Sequence, residues 1–159
     1  DKAISIAVDS HSGQVNEKTE PYVLHPLRMM FKAVTIEEKI IAVLHDVIEK
    51  TTVDLEYLRS AGFSERIVLA IDALSRKPQE SYDRYIDRVR ENKLATKIKI
   101  IDLDDNISSL NLGKSQYIES DKFLKYQIIL KNVEINLSKI LLAPPPTINP
   151  KQMNSYRPT

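Results

Sequence analysis

The segment from Thr35 to Lys50 constrains this chain more than any other. Thr35-Ile36-Glu37-Glu38 has the layout of a capping box, a hydroxyl cap with a glutamate three residues on. Behind it Ile40, Val43, Leu44, Val47 and Ile48 recur at helical spacing. The stripe predicts a buried helix that ends near Thr51. His45 and Asp46 interrupt it. Burying a polar group unpaired costs about 1–3 kcal/mol, and a charge costs more, so the pair needs partners. Neighbours on a helix point about 100° apart, and one ion lying in that angle could take both.

The rest of the chain reads as helix too. It has only three glycines, and its prolines gather at two places. Residues 2–11 form a short predicted helix. Pro21-Tyr22-Val23-Leu24 reads as extended chain entering a helix at His25, with Pro26 in the first turn, where its missing N–H costs nothing. Thr52 is expected to cap a helix that runs to Ala61 and stops at Gly62. Ser64 heads another, carrying Ile67, Leu69, Ile71 and Leu74. Arg76-Lys77-Pro78 breaks the pattern, and Ser81 starts a helix bearing Tyr82, Tyr85, Ile86 and Val89. Lys97-Ile98-Lys99-Ile100 alternates like a strand. Ile100, Leu103, Ile107 and Leu110 fall at helical spacing, and the longer pattern prevails. A last helix is expected over about 120–142, stopped by Ala143-Pro144-Pro145-Pro146. The expectation is therefore one all-α domain over 1–142 and a Pro-rich, extended tail over 143–159.

Bulk properties narrow the function. An apolar share of 42%, a charged share of 28% and a net charge of +1 are ordinary for a soluble globular protein. They give no basic field that would argue for nucleic acid as a general partner. The absence of cysteine excludes disulfides, zinc-thiolate sites and thiol catalysis, and makes a reducing cytoplasm the expected setting. No apolar stretch approaches the roughly 20 residues of a membrane span. Asp1-Lys2-Ala3 has no signal-peptide layout and no Met, so the chain is expected to begin just inside a natural terminus.

The chemistry-bearing residues fall on separate predicted helices. His25 opens one, His45 and Asp46 lie on a second, and Asp102 on a third. Imidazole nitrogen and carboxylate oxygen together, with positions left open, suit a divalent ion that activates water. Mn²⁺ fits this mixed set best, with Fe²⁺ or Mg²⁺ as alternatives; a structural zinc prefers a closed tetrahedral site. Glu49 stands four residues after His45 and would share its face, within reach of the attacking water as a general base. Asp102, Asp105 and Asn106 also share a face, and Asn106 could meet a ribose or base edge. The plainer readings stay open: Glu49 with Lys50 as a solvated face, Asp102 to Asp105 as an acidic helix face, Arg76 and Lys77 as surface. His11 reads as a packing or hydrogen-bonding residue.

Four stretches, in order across about residues 3–110, resemble the HD hydrolase domain of the RelA/SpoT-type enzymes. His11-Ser12-Gly13-Gln14 with Pro21-Tyr22-Val23-Leu24-His25-Pro26 is similar to the family's H-x-G-Q…P-Y-x-x-H-P. Ala42-Val43-Leu44-His45-Asp46-Val47-Ile48-Glu49 is similar to A-x-L-H-D-x-x-E-D, and Ile98-Lys99-Ile100-Ile101-Asp102 with Asn106 to V-K-L-A-D-x-x-x-N. Glu56-Tyr57-Leu58-Arg59 to Phe63 resembles the family's next helix and turn. Small single-domain bacterial HD proteins also share Ser81-Tyr82-Asp83-Arg84-Tyr85-Ile86.

The resemblance implies an HD-domain helical bundle with a metal site between helices. It implies metal ligands His25, His45, Asp46 and Asp102, with Glu49 beside the attacking water and Asn106 on the nucleotide. The family activity it implies is removal of the 3′-pyrophosphate from ppGpp, with a small nucleotide as partner. Three positions depart from the pattern. Lys50 stands where the family has Asp. Asn16-Glu17 replaces a basic pair, with Lys18 one step late. Leu103-Asp104-Asp105 replaces Arg-x-His. Lys50, beside Glu49 at the reacting centre, and Lys18, Arg76 and Lys77 are the cations that could receive a polyphosphate. Two alternatives remain at this stage. One is a weakened HD domain that binds a nucleotide or a protein partner. The other is a hydrolase of NADPH or a nucleoside monophosphate.

Overall fold

The computed structural model describes residues 1–111 together with 128, 129 and 131. The helix expected over 120–142 and the tail over 143–159 lie outside the described residues. Among those described there is no strand, only an isolated bridge between Val15 and Pro21. The all-α expectation therefore holds.

Over the described residues 1–111, eight helices follow in order: α1 Lys2–Ser10, α2 Leu24–Lys32, α3 Ile36–Leu44, α4 Val47–Lys50, α5 Leu55–Ser60, α6 Glu65–Leu74, α7 Tyr82–Glu91 and α8 Lys93–Asn111. The longest of them is long and polar rather than apolar, and no described helix could cross a membrane.

The α3 helix is the hub. Its cap forms as the sequence predicts: Thr35 Oγ1 accepts from the Glu38 amide, and the Glu38 carboxylate accepts from the Thr35 amide at 3.0 Å. Ile41, Ala42, Val43 and Leu44 are all buried, because α1, α2, α6 and α8 surround it. Truncating a fully buried Ile41 or Leu44 would cost about 2–5 kcal/mol, on the scale of core deletions. The helix reading of α8 also holds. Its Ala95, Ile98 and Leu103 are buried, while Lys97 and Lys99 go separate ways, to Glu38 and to Asp102, both at 2.7 Å. In a strand those two lysines would share a face.

Three expectations are corrected. Pro21-Tyr22-Val23-Leu24 is a turn and not extended chain: the Leu24 amide donates to the Pro21 carbonyl at 3.1 Å, Val23 has helical angles, and α2 opens at Leu24. The helix from Ile36 does not run on to Thr51. It stops at Leu44, and α4 starts at Val47. His45 keeps helical angles, but Asp46 opens to φ −103° and ψ −4°. In an unbroken helix the two side chains would diverge; the break lets His45 Nε2 and Asp46 Oδ2 approach to 3.1 Å. The cap of α5 is Asp54, whose carboxylate accepts from the Tyr57 amide at 2.7 Å, and not Thr52. Thr51 absorbs the preceding turn, its hydroxyl donating to the Val47 carbonyl and accepting from Val53. Ser64 occupies the cap position of α6, but its side chain makes no capping bond. Gly62 ends α5 at φ 87°, a left-handed position that suits glycine.

Candidate metal centre

Three helical segments meet at one cavity of about 790 Å³. The first turn of α2 brings His25, the α3–α4 break brings His45 and Asp46, and the middle of α8 brings Asp102. The donor atoms of His25, His45 and Asp46 all lie within 4.8 Å of one another. The two imidazoles meet edge to face with centroids 5.2 Å apart.

Hydrogen bonds fix which ring nitrogen faces the cluster. His45 Nδ1 contacts the Ala42 carbonyl at 2.9 Å, and His25 Nδ1 contacts Asp105 Oδ2 at 2.9 Å. A carbonyl and a carboxylate only accept, so each Nδ1 carries the proton and donates it. Both Nε2 atoms are thereby turned on carboxylate oxygens: His45 on Asp46 Oδ2 at 3.1 Å, His25 on Asp102 Oδ1 at 3.3 Å. Lone pair against lone pair repels at that range, so a cation belongs between them, either a proton or a metal ion. Imidazoles oriented through Nδ1 in this way are the usual partners of a bound divalent ion. The residues present fit such an ion.

The electrostatics agree. Burial pulls the His25 imidazole down, but hydrogen bonds to Asp102 and Asp105 and the nearby carboxylate charges outweigh it and lift its pKa to about 9. Burial pushes the Asp46 carboxyl up, yet His45 and Lys50 hold it well below the carboxylate range. Asp102 is lowered in the same way against its burial, chiefly by Lys99.

Asp102 stands at the edge of the cluster rather than in it. Lys99 Nζ donates to Oδ2 at 2.7 Å, and Asn106 Nδ2 donates to Oδ1 at 2.7 Å and to the main-chain oxygen at 2.9 Å. Asn106 lines the cavity as expected, but it spends its amide on Asp102 instead of holding it out to a ligand. Asp105 receives Arg28 as well as His25, with Arg28 Nη2 at 2.9 Å. The Tyr22 hydroxyl donates to Asp46 Oδ2, and its ring meets the His11 ring at a tilt of 51°, centroids 5.0 Å apart.

Glu49, Lys50, Lys18 and Arg76 line the outer part of the same cavity. Glu49 accepts from the Arg76 amide at 2.9 Å, so the break in the helix does not remove it from the site. Lys50 Nζ lies 3.9 Å from Asp46 Oδ2 and 5.1 Å from the Tyr22 ring centroid. Lys18 Nζ donates to the Ser109 carbonyl. Arg76 donates to the Glu80 carbonyl at 3.0 and 2.7 Å and lies over Tyr82. Lys77 is paired with Asp72 and does not line the cavity. His11 is buried and bonded to Gln14, a packing residue as expected.

Sequence reasoning missed Tyr22, Lys99 and the role of Asp105. Asp105 had a usable signal, its place one turn after Asp102. Lys99 had none, since lysine is almost never fully buried unless paired.

No family model matches the chain. It is 26% identical over 121 residues to a guanosine-3′,5′-bis(diphosphate) 3′-pyrophosphohydrolase of Aquifex aeolicus, covering 69% of this chain and 17% of that protein. It is 37% identical over 79 residues to an enzyme of the same name from Borreliella burgdorferi, covering 47% of this chain and 12% of that protein. The chain thus spans less than a fifth of either relative. Among solved structures it matches a metazoan ortholog of SpoT, described as hydrolysing ppGpp and acting in starvation responses. The TM-score is 0.67 at 19% identity, over 88% of this chain and 92% of that one, a likeness of fold.

Proposed function

We propose that this chain, which resembles the RelA/SpoT-type HD hydrolase domain in sequence and in fold, is a divalent-metal phosphohydrolase acting on a nucleotide. Guanosine 3′,5′-bis(diphosphate) is the substrate that the relatives' names point to first. The observation that carries the reading is the pair of imidazole Nε2 atoms turned on carboxylate oxygens at 3.1 and 3.3 Å inside a nucleotide-sized cavity.

His25, His45 and Asp46 would hold the ion, with Asp102 beside them. Mn²⁺ suits the mixed set best, ahead of Fe²⁺ or Mg²⁺. When bound, such an ion lowers the pKa of water and polarises a phosphoryl oxygen. The other residues divide the remaining work. Glu49 takes the proton as the water oxygen bonds to phosphorus. The bond from phosphorus to the ribose 3′ oxygen breaks, pyrophosphate leaves, and the ribose oxygen regains a proton from solvent. The amide of Arg76 keeps the Glu49 carboxylate at the cavity wall. Lys18 and Arg76 line the cavity and are the cations open to the distal phosphates.

Two measurements test this. Phosphate or pyrophosphate release is followed across a nucleotide panel with Mn²⁺ supplied, and ppGpp should give pyrophosphate. Metal analysis after Mn²⁺ loading should find about one ion per chain in the wild type and almost none in His45→Ala. Equal, near-zero metal in both would overturn the centre. Turnover of only NADPH or a nucleoside monophosphate would move the substrate and leave the centre standing.

A further inference from the structure

Lys50 is the cation whose placement that reading does not use. Its backbone is pinned at both ends. Its amide donates to the Asp46 carbonyl at 2.9 Å, and its carbonyl accepts from Gln14 Nε2 at 2.9 Å. Gln14 is itself oriented, because its Oε1 accepts from His11 Nδ1 at 2.9 Å. The side chain is 40% exposed, lines the cavity and rests over the Tyr22 ring. Its nearest carboxylate oxygen, Asp46 Oδ2, is 3.9 Å away, outside hydrogen-bond range, and already receives the Tyr22 hydroxyl.

The other cavity cations already make hydrogen bonds within the chain. Arg28 is bidentate on Asp105, and Lys99 is on Asp102. Lys18 and Arg76 have backbone carbonyls. Among the described cavity cations, Lys50 is therefore the ammonium beside the His25, His45 and Asp46 cluster that no side-chain hydrogen bond holds, its carboxylate neighbour lying at 3.9 Å.

We infer that Lys50 grips a phosphoryl oxygen of the substrate and makes the site selective for a diphosphate-bearing nucleotide over one with a single phosphate. The inference rests on the phosphohydrolase reading. A phosphate seated at the cluster brings its neighbour in the diphosphate chain next to Asp46, where Lys50 waits. A charge-assisted hydrogen bond is worth about 1.5–3 kcal/mol, or roughly 10–100-fold in affinity.

The test is calorimetric titration of full-length wild type, Lys50→Ala, Lys50→Asp and Lys50→Arg at fixed Mn²⁺. The probes are guanosine 3′,5′-bis(diphosphate) and guanosine monophosphate. Lys50→Ala should weaken the bis(diphosphate) roughly 10-fold or more and the monophosphate by less than about 3-fold. Lys50→Asp should weaken it further, and Lys50→Arg should restore it. In turnover the loss should appear in KM. Unchanged metal content and melting temperature exclude a folding defect, as the exposed side chain leads one to expect. Equal binding by wild type and Lys50→Asp would overturn the inference, and so would a Lys50→Asp variant with higher kcat. A wild type that binds selectively but turns nothing over would sink the hydrolase reading and leave the Lys50 grip intact.

Discussion

On the inner wall of the cavity, His25, His45 and Asp102 are buried or nearly so, and each is held through a second polar group on its own or a neighbouring helix. On the outer wall, Lys18, Lys50 and Arg76 sit at the surface, and their hydrogen bonds within the chain go to carbonyl oxygens or fall outside range. The inner wall is pre-organised at the expense of freedom. The outer wall keeps donors and flexible stems for something that arrives later. The contrast separates two tasks, fixing a small permanent charge and accepting a large exchangeable one.

The sharpest way to break the comparison is at Glu49, which belongs to the outer wall by its Arg76 bond and to the inner by its proposed task. Glu49→Gln should lower kcat by roughly 10²–10⁴-fold, the worth of a positioned general base, with metal content unchanged. Steady-state kinetics on any substrate the wild type turns over decides it. An unchanged kcat would make Glu49 a purely structural acceptor for the Arg76 amide.

Asp105 probes the inner wall alone. Asp105→Asn keeps an acceptor for His25 but loses the charge and the bidentate Arg28 contact. Mn²⁺ titration should show affinity, or activity at limiting metal, down about 10–100-fold. An outer-wall change such as Lys18→Ala should leave Mn²⁺ affinity as it was. If both variants bind metal alike, the division between the walls is wrong.

The smallest effect is expected at Glu80, which braces the outer rim. Its carboxylate takes Arg88 Nε at 3.0 Å and Nη2 at 2.8 Å, and the Lys77 amide at 3.0 Å. The Arg88 hydrogen bonds, then the Lys77 amide, depress its pKa to about 2. A depressed carboxyl stabilises the fold above its unfolded pKa, about 4.3, and that stability is lost as pH falls toward 2. Thermal melts of wild type and Glu80→Gln should therefore differ above pH 5 and converge toward pH 2. A constant gap across that range would show that the pairing contributes nothing.

How far the sequence could be read follows from how local each feature is. The capping box at Thr35, the helix starts at Ser64 and Ser81 and the helical reading of α8 rest on neighbours a few residues apart, and all held. His45, Asp46 and Asp102 were legible because polar groups stood in or after apolar runs, His25 because of its place in the His-Pro motif, and one cavity does gather them. The break at His45–Asp46 was not legible, since Val47 and Ile48 continue the stripe as if the helix ran on. Asp54 and Thr52 are both good caps two residues apart, and local propensity does not choose between them. The Tyr22 bond to Asp46 and the Lys99 bond to Asp102 depend on where whole helices come to rest.

The join between α3 and α4 also bears on what heritable change this chain can absorb. His45 and Asp46 are the two residues of that join, and Val47 behind them is fully buried. Adding or removing one residue there would turn both side chains away and slide Val47 out of the core together. No variant can retune that step without refolding its surroundings. Exchanging the half-exposed residue at position 50 disturbs neither, so a lineage has room to alter what the cavity accepts while the join stays as it is.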